Sequence, residues 1–395
     1  MGYPKTQWLR YNRFMHLSSK LSRLWAKRLT QRDLTSQRRQ LREPVSIDFC
    51  SNDYLGWARR ADVLLTNFPE GRHGATGSRL LSGQTKTINM LESRIAAFHD
   101  APAALIFNSG FDANIGTLAA ISDRHTVFLY DELCHASLID GMRLSLSRHV
   151  YKFRHNDVAH LANLLAMHAD KVIAVVVESV YSMDGDVAPL REIVQLTKQH
   201  SACLIVDEAH GTGVIGARGE GLVQHLGLQQ EIDVRIHTYG KAMGCHGAAV
   251  LGSRDLIDVL INFSRPFIYS TALPPASYAA ISRAYDLLRD DVTSRKRLHG
   301  VIDSFRSRIS EGDWSVFGTS WLDSTTPIQG LIVGHVRHAR QIAEYLQSHE
   351  LDVRPILSPT VAEGTERLRI CLHSFNTEDE LDLLFHTLHK ALQTT

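Results

Sequence analysis

Hydrophobic residues fall along this chain in short unbroken runs, separated by longer stretches with helical spacing. β-Rich apolar runs occur at 104–107, 126–130, 172–177, 203–206, 234–238 and 248–251. Between several of them, apolar residues recur three and four positions apart, as at 86–98, 114–121 and 190–200, the mark of a helix with one buried face. Strand–helix alternation of this kind predicts a mostly parallel sheet flanked by helices on both faces. In such sheets ligands bind beyond the carboxyl ends of the strands, so chemistry is expected just after those runs. A helical stretch from about 275 to 309 leads into a second, smaller α/β region with strands near 328–333 and 367–372. The organisation expected is a helical arm over 1–45, a large domain over 46–285 and a small C-terminal domain over 286–395. No internal repeat or low-complexity linker interrupts it.

Composition narrows the function classes. The 395 residues can bury a large core, and 44% hydrophobic with 22% charged residues is an ordinary globular profile. A net charge of +1 gives no general pull toward nucleic acid or membrane, and the apolar run at 172–177 is far too short to span a bilayer. Five scattered cysteines without a C-x-x-C pair argue against a zinc site or disulfide framework and fit a reducing cytoplasm. The front of the chain is the exception, with Lys5, Arg10, Arg13, Lys20, Arg23, Lys27, Arg28, Arg32, Arg38, Arg39 and Arg42 against Asp33 and Glu43. Such a start is either an organelle transit peptide or an amphipathic helix. Helical spacing of Leu17, Leu21, Leu24 and Leu29, without an evident cleavage site, favours the helix.

The candidate chemistry sits where the strands end. Asp207 closes the apolar run in CLIVDEAHGTG, followed by His210 and a glycine turn. Alone it could be a helix cap or turn former. Lys241 follows the run ending at Thr238 in VRIHTYGKAMG, and most lysines are only solvated charges. The two together mean more. A carboxylate able to hold a pyridinium nitrogen protonated, with a lysine able to form a Schiff base, is the pair that pyridoxal phosphate requires. In NSGFDAN (108–114), Gly110 and Phe111 would open a helix whose free N–H groups attract phosphate, or they simply start a helix. His135 in DELCHASL is either a satisfied core histidine or a ring stacked on a cofactor.

Taken with these, SNDYLG (51–56), GATGSRLLSG (74–83), CHASL (134–138), ESVYSMDGDVAPL (178–190), VDEAHGTGVIG (206–216), TYGKAMG (238–244) and YSTALPPA (269–276) resemble the α-oxoamine synthases. These are homodimeric pyridoxal-phosphate enzymes of fold type I, and the resemblance covers about residues 46 to 390. It implies a large domain with a mostly parallel seven-stranded sheet flanked by helices, plus a smaller C-terminal α/β domain. GSRLLSG, HND (155–157) and SPTVAEGTERLRI (358–370) are most similar to the biotin-pathway subclass. That subclass joins L-alanine to a pimeloyl thioester, giving 8-amino-7-oxononanoate, carbon dioxide and free thiol. Sister subclasses use glycine or serine with other acyl groups.

The resemblance also implies roles. Lys241 carries the cofactor and acts as base, Asp207 pairs with the ring nitrogen, and His135 stacks on the ring. Ser182 and His210 reach its phenolic oxygen. Gly110, Phe111 and Thr238 hold the phosphate, with Thr271 of the other subunit. Arg369 holds the amino-acid carboxylate, and Asn52 and Thr360 line the substrate pocket. Arg39 or Arg38, just before the first strand, would meet the distal end of the acyl chain, or both are merely solvated. No metal is expected. The acyl carrier is coenzyme A or an acyl carrier protein. A plain aminotransferase shares the lysine–aspartate pair, but the HGTG, SNDYLG and YSTALPP set points away from it. A non-enzymatic scaffold would have lost Lys241, Asp207 or His135.

Overall fold

The computed structural model describes residues 19–35, 37–60 and 73–394. A short strand, Ile47–Asp48 (β1), precedes seven strands that share one sheet: Ala103–Phe107 (β2), Val127–Asp131 (β3), His149–Phe153 (β4), Ile173–Glu178 (β5), Cys203–Asp207 (β6), Val234–Thr238 (β7) and Ala248–Gly252 (β8). Their order is β2-β8-β7-β6-β5-β3-β4. β8 is antiparallel to both neighbours while the other pairs are parallel, so six strands point the same way.

The unbroken apolar runs follow from burial on both faces. Alternate residues of each strand feed opposite layers. Val127, Leu129, Val175, Val177, Leu204 and Val206 pack against Leu161 and Ile193. Phe128, Ala174, Val176 and Ile205 pack against Leu118, Leu138 and Leu260. β4 was not expected from its sequence. It lies at the sheet's edge with His149, Tyr151 and Lys152 exposed, so no apolar run marks it, and a charged edge discourages pairing with another chain.

The stretch expected to be helical over 275–309 is two helices, Pro275–Asp290 and Val292–Glu311. Asp291 separates them because its side chain accepts from the Ser294 N–H (2.9 Å) as an N-cap. It also accepts from Trp57 Nε1 at 3.2 Å. In the arm, Lys20–Leu34 is helical with Ser19 as its cap, yet none of its residues is buried. Leu21, Leu24 and Leu29 are exposed, and Leu17 lies outside the described residues.

The C-terminal region adds Ser320–Trp321 (β9), Ile328–Ile332 (β10), Leu351–Asp352 (β11), Arg354–Ile356 (β12) and Arg367–Cys371 (β13). Four of these form an antiparallel sheet ordered β12-β13-β10-β9, while β11 pairs in parallel with β1. The loop after β5 joins the two sheets. Asp184 pairs with Arg367 at 2.6 Å, and the Gly185 carbonyl accepts from Ser324 Oγ and Thr326 Oγ1, both at 2.8 Å.

Gly185 has φ +75°, and a Cβ there would fall on the Ile328 carbonyl. Gly185→Ala should therefore lose roughly 2–4 kcal/mol, from left-handed strain plus overpacking. Urea unfolding would measure it, and a change below about 0.5 kcal/mol, the usual surface value, would contradict this account of the junction.

Candidate active site

Because six strands run in one direction, their carboxyl ends share an edge, and a cavity of about 270 Å³ opens there. Lys241, Asp207, His135, Glu178, His210 and Thr238 line it, with Gly110, Phe111 and Asn52. Each follows or closes a strand except Asn52, which arrives on the buried SNDYLG segment.

Asp207 is buried and held on both oxygens: Oδ1 accepts from the Ala209 N–H and Oδ2 from Asn114 Nδ2, each at 2.8 Å. Asn114 also donates to Ser137 Oγ at 2.8 Å, and Ser137 Oγ lies 2.7 Å from His135 Nδ1. The Ser137 N–H points at the same ring nitrogen, so Nδ1 accepts and the ring proton sits on Nε2. His135 is the N-cap of the helix Ala136–Leu144, which fixes its backbone, and its own N–H donates to Glu178.

A second chain of contacts crosses to the small sheet. Arg369, buried on β13, donates through Nε to the Ser182 carbonyl at 2.7 Å and through Nη2 to Asn52 Oδ1 at 3.0 Å. A guanidinium has only donors, so the Asn52 oxygen must face it. The Tyr54 hydroxyl donates to that oxygen at 3.0 Å and lies 2.8 Å from His210 Nδ1. With its proton committed to Asn52, the tyrosine accepts from His210 Nδ1–H, which leaves His210 Nε2 as an acceptor.

Charge in the cavity is shaped by desolvation. Burial pushes the Glu178 carboxyl well up, and the neighbouring Asp207 adds to this. Burial lowers the Lys241 ammonium, opposed by Asp207 and Glu178 and reinforced by Arg369. Burial also lowers both histidines; Lys241 reinforces this, and both rings are neutral.

The donor set fits the pyridoxal phosphate expected from the sequence. At the start of the helix Gly110–Ala120, Ser109 takes up the Asp112 and Ala113 N–H groups, which leaves those of Gly110 and Phe111 available to an anion. A Cβ on Gly110 would come within 2.5 Å of Thr238 Cγ2, so only glycine lets the two segments close around that end. A carboxylate, a lysine and a flat imidazole complete the set.

Other expected residues lie apart. Ser182 is buried beside Arg369 but does not line the cavity. Thr271 is exposed and offers its carbonyl to Asn108 Nδ2 at 2.8 Å. Thr360 and Arg39 line a separate cavity at the arm, together with Arg38. Sequence reasoning passed over Glu178, Asn114, Ser137 and Tyr54 as site residues. Glu178 had a signal, since it ends a strand as Asp207 does.

His155, from the HND motif, braces the site. Its Nδ1 lies 2.9 Å from Asp131 and its Nε2 2.6 Å from Asp186. Asp131 ends β3 and its carbonyl accepts from Cys134 N–H, so the histidine ties the His135 turn to the loop after β5.

The family described as aminotransferase class I and II matches residues 44–388. The chain is 40% identical over 373 residues to the 8-amino-7-oxononanoate synthase of Emericella nidulans, covering 88% of this chain and 90% of that one. It is 38% identical to the synthase of that name from Pseudomonas putida, covering 92% and 96%. Among solved structures it resembles a serine palmitoyltransferase from S. paucimobilis with bound PLP–myriocin aldimine, at TM-score 0.84 and 25% identity over 95% of this chain and 99% of that one. The Francisella tularensis 8-amino-7-oxononanoate synthase aligns at TM-score 0.74 and 26% identity, over 88% and 98%.

The brace gives a pH signature. Burial works against a charged His155, but hydrogen bonds to Asp131 and Asp186 outweigh it and push the ring up to about 10 from an ordinary 6.5. A raised pKa in the folded state stabilises fully below about pH 6.5, and that contribution is lost as pH climbs through about 10. Unfolding free energy should thus fall over this range in the native protein and fall less in His155→Gln. Parallel pH curves would refute the brace.

Proposed function

The chain belongs to the aminotransferase class I and II family, in its α-oxoamine synthase branch, and we propose that it condenses L-alanine with a pimeloyl thioester. The products are 8-amino-7-oxononanoate, carbon dioxide and the free thiol, a step of biotin synthesis. The observation that carries this reading is the convergence of Lys241, Asp207 and His135 on one cavity, with Arg369 one contact away through Asn52.

Pyridoxal phosphate, when bound, supplies an electron-poor ring that takes up the electron pair left at the amino acid's α-carbon. Lys241 would hold it covalently, Asp207 would keep its ring nitrogen protonated, and His135 would cover one face. Ser182 and His210, the latter with Nε2 as acceptor, would meet the phenolic oxygen. Gly110, Phe111 and Thr238 would take the phosphate.

Arg369 grips the alanine carboxylate, so the Cα–H bond and not the carboxylate faces Lys241. Burial lowers the lysine's pKa and leaves more of it as the free amine that can accept this proton. The α-carbon then bonds to the thioester carbonyl carbon while the carbon–sulfur bond breaks, and the departing thiolate takes up a proton from solvent. Carbon dioxide departs from the former alanine carboxylate, and Lys241 returns a proton to the α-carbon. The enzyme acts in the cytoplasm as a homodimer, with Thr271 reaching the phosphate of the partner's site. The exposure of Thr271, outside its own chain's cavity, supports this.

Purified protein supplied with L-alanine and a pimeloyl thioester should release the amino ketone, carbon dioxide and thiol by mass spectrometry. Borohydride should fix the cofactor to the peptide containing Lys241, and Lys241→Ala should lose both label and turnover. Label on another lysine, or a preference for serine with long plain acyl chains, would move the protein to a sister activity or a different site.

Asp207→Asn should keep the fold and bind cofactor yet lose at least about a hundredfold in kcat. Unpairing a buried charge costs on the order of 3–5 kcal/mol, and each 1.36 kcal/mol is tenfold. Near-normal turnover with cofactor bound would remove Asp207 from the proposed role.

A further inference from the structure

A second cavity, of about 590 Å³, lies between the arm and the small sheet, and six arginines line it: Arg32, Arg38, Arg39, Arg42, Arg340 and Arg354. Glu344 is the one acidic residue in that lining. Asp33 takes up Arg38 at 3.0 Å and Asp352 takes up Arg354 at 2.6 Å. Arg32 and Arg42 reach only the amide oxygens of Gln37 (3.2 Å) and Gln347 (3.3 Å). Among the described residues no ion pair is made by Arg32, Arg39, Arg42 or Arg340, and Arg340 Nε is buried without a hydrogen-bond partner. Crowding unpaired guanidinium groups around one concavity costs repulsion, and a concave wall of one sign focuses the field on an oppositely charged ligand.

The cavity's position suggests what that ligand belongs to. Arg354 stands directly opposite Arg369 in the β12–β13 register. Residues so paired in antiparallel strands have Cα atoms about 4.5–5.5 Å apart and share a face. Arg369 in turn donates to Asn52, which lines the cofactor cavity. The arginine cluster is therefore one cross-strand pair away from the arginine facing the reaction. An acyl thioester reacting there must send its carrier outward. The pimeloyl carboxylate is a monoanion that one guanidinium can satisfy bidentately, whereas several unpaired arginines match several phosphates. The volume, about 590 Å³, is also within the roughly 300–1,000 Å³ of small-molecule sites.

Granted the synthase reaction, we propose that this arginine-lined cavity binds the phosphate groups of a coenzyme A acyl donor. The full chain, loaded with cofactor, is tested in two arms. Titration calorimetry with adenosine 3′,5′-bisphosphate, which carries two of those phosphates and no thioester, should show binding that weakens at least about tenfold in Arg42→Gln/Arg340→Gln. Kinetics should show the KM for pimeloyl-CoA rising by about the same factor in that variant with kcat kept, while the KM for phosphate-free pimeloyl-pantetheine stays within about twofold. The unchanged pantetheine reaction would also report an intact fold. Equal bisphosphate binding by wild type and variant, or none by either, overturns the proposal. So does an equal KM rise for both thioesters, which would mean that the arginines read the acyl carboxylate. Dependence on these arginines only with a pimeloyl carrier protein would likewise overturn it. If no thioester yields amino ketone, the synthase reading falls by itself, and the calorimetry still decides whether the cavity is a phosphate site.

Discussion

Glu178 and Asp207 stand side by side at the ends of β5 and β6, in register and buried. Two carboxylates so close, away from water, cannot both be charged without a large penalty. Burial and the neighbouring Asp207 push the Glu178 carboxyl well up, and the remaining contacts gather around the pair. Asn114 and the Ala209 N–H hold Asp207, the His135 N–H faces Glu178, and Lys241 supplies the opposing charge. None of these groups is adjacent in sequence. Parallel strands of one sheet bring them together, since only a shared carboxyl edge collects the ends of β2, β3, β5, β6 and β7 at one place.

Much of this was legible in the sequence because the same physics writes both. Strands buried on two faces must be apolar throughout, so the sheet's central members announced themselves, and the turns beyond them carried Asp207, His135 and Lys241. β4 was silent because an edge strand need not be apolar. The break at Asp291 was hidden because the apolar spacing continues across it, and only the capping bonds of its side chain reveal it.

Other residues could not be read as site members for a different reason. Asn114 and Tyr54 act through partners far away in sequence, Asp207 and His210, and nothing local in either residue points to those partners. Arg39 was read, as an alternative to Arg38, as a cation of the basic arm just before the first strand. Its meaning depends on Arg340 and Arg354, which arrive some three hundred positions later from a helix and a strand of the small sheet. Resemblance to a family supplied roles for the residues that face the cofactor, and gave no hint of the arginine cluster behind them.

The loop after β5 is bound to the small sheet at three successive points: the Ser182 carbonyl to Arg369, Asp184 to Arg367, and the Gly185 carbonyl to Ser324 and Thr326. Its root, Glu178, belongs to the large sheet. Mechanically the loop is a strap between the two sheets, held on the large side also at Asp186 by His155. Any drift of the small sheet would pull Ser182 and Arg369 together against that anchor and leave Asp207 and Lys241 where they are. The proposed grip on a substrate carboxylate and the proposed contact to the ring's oxygen would then open or close in a single stroke.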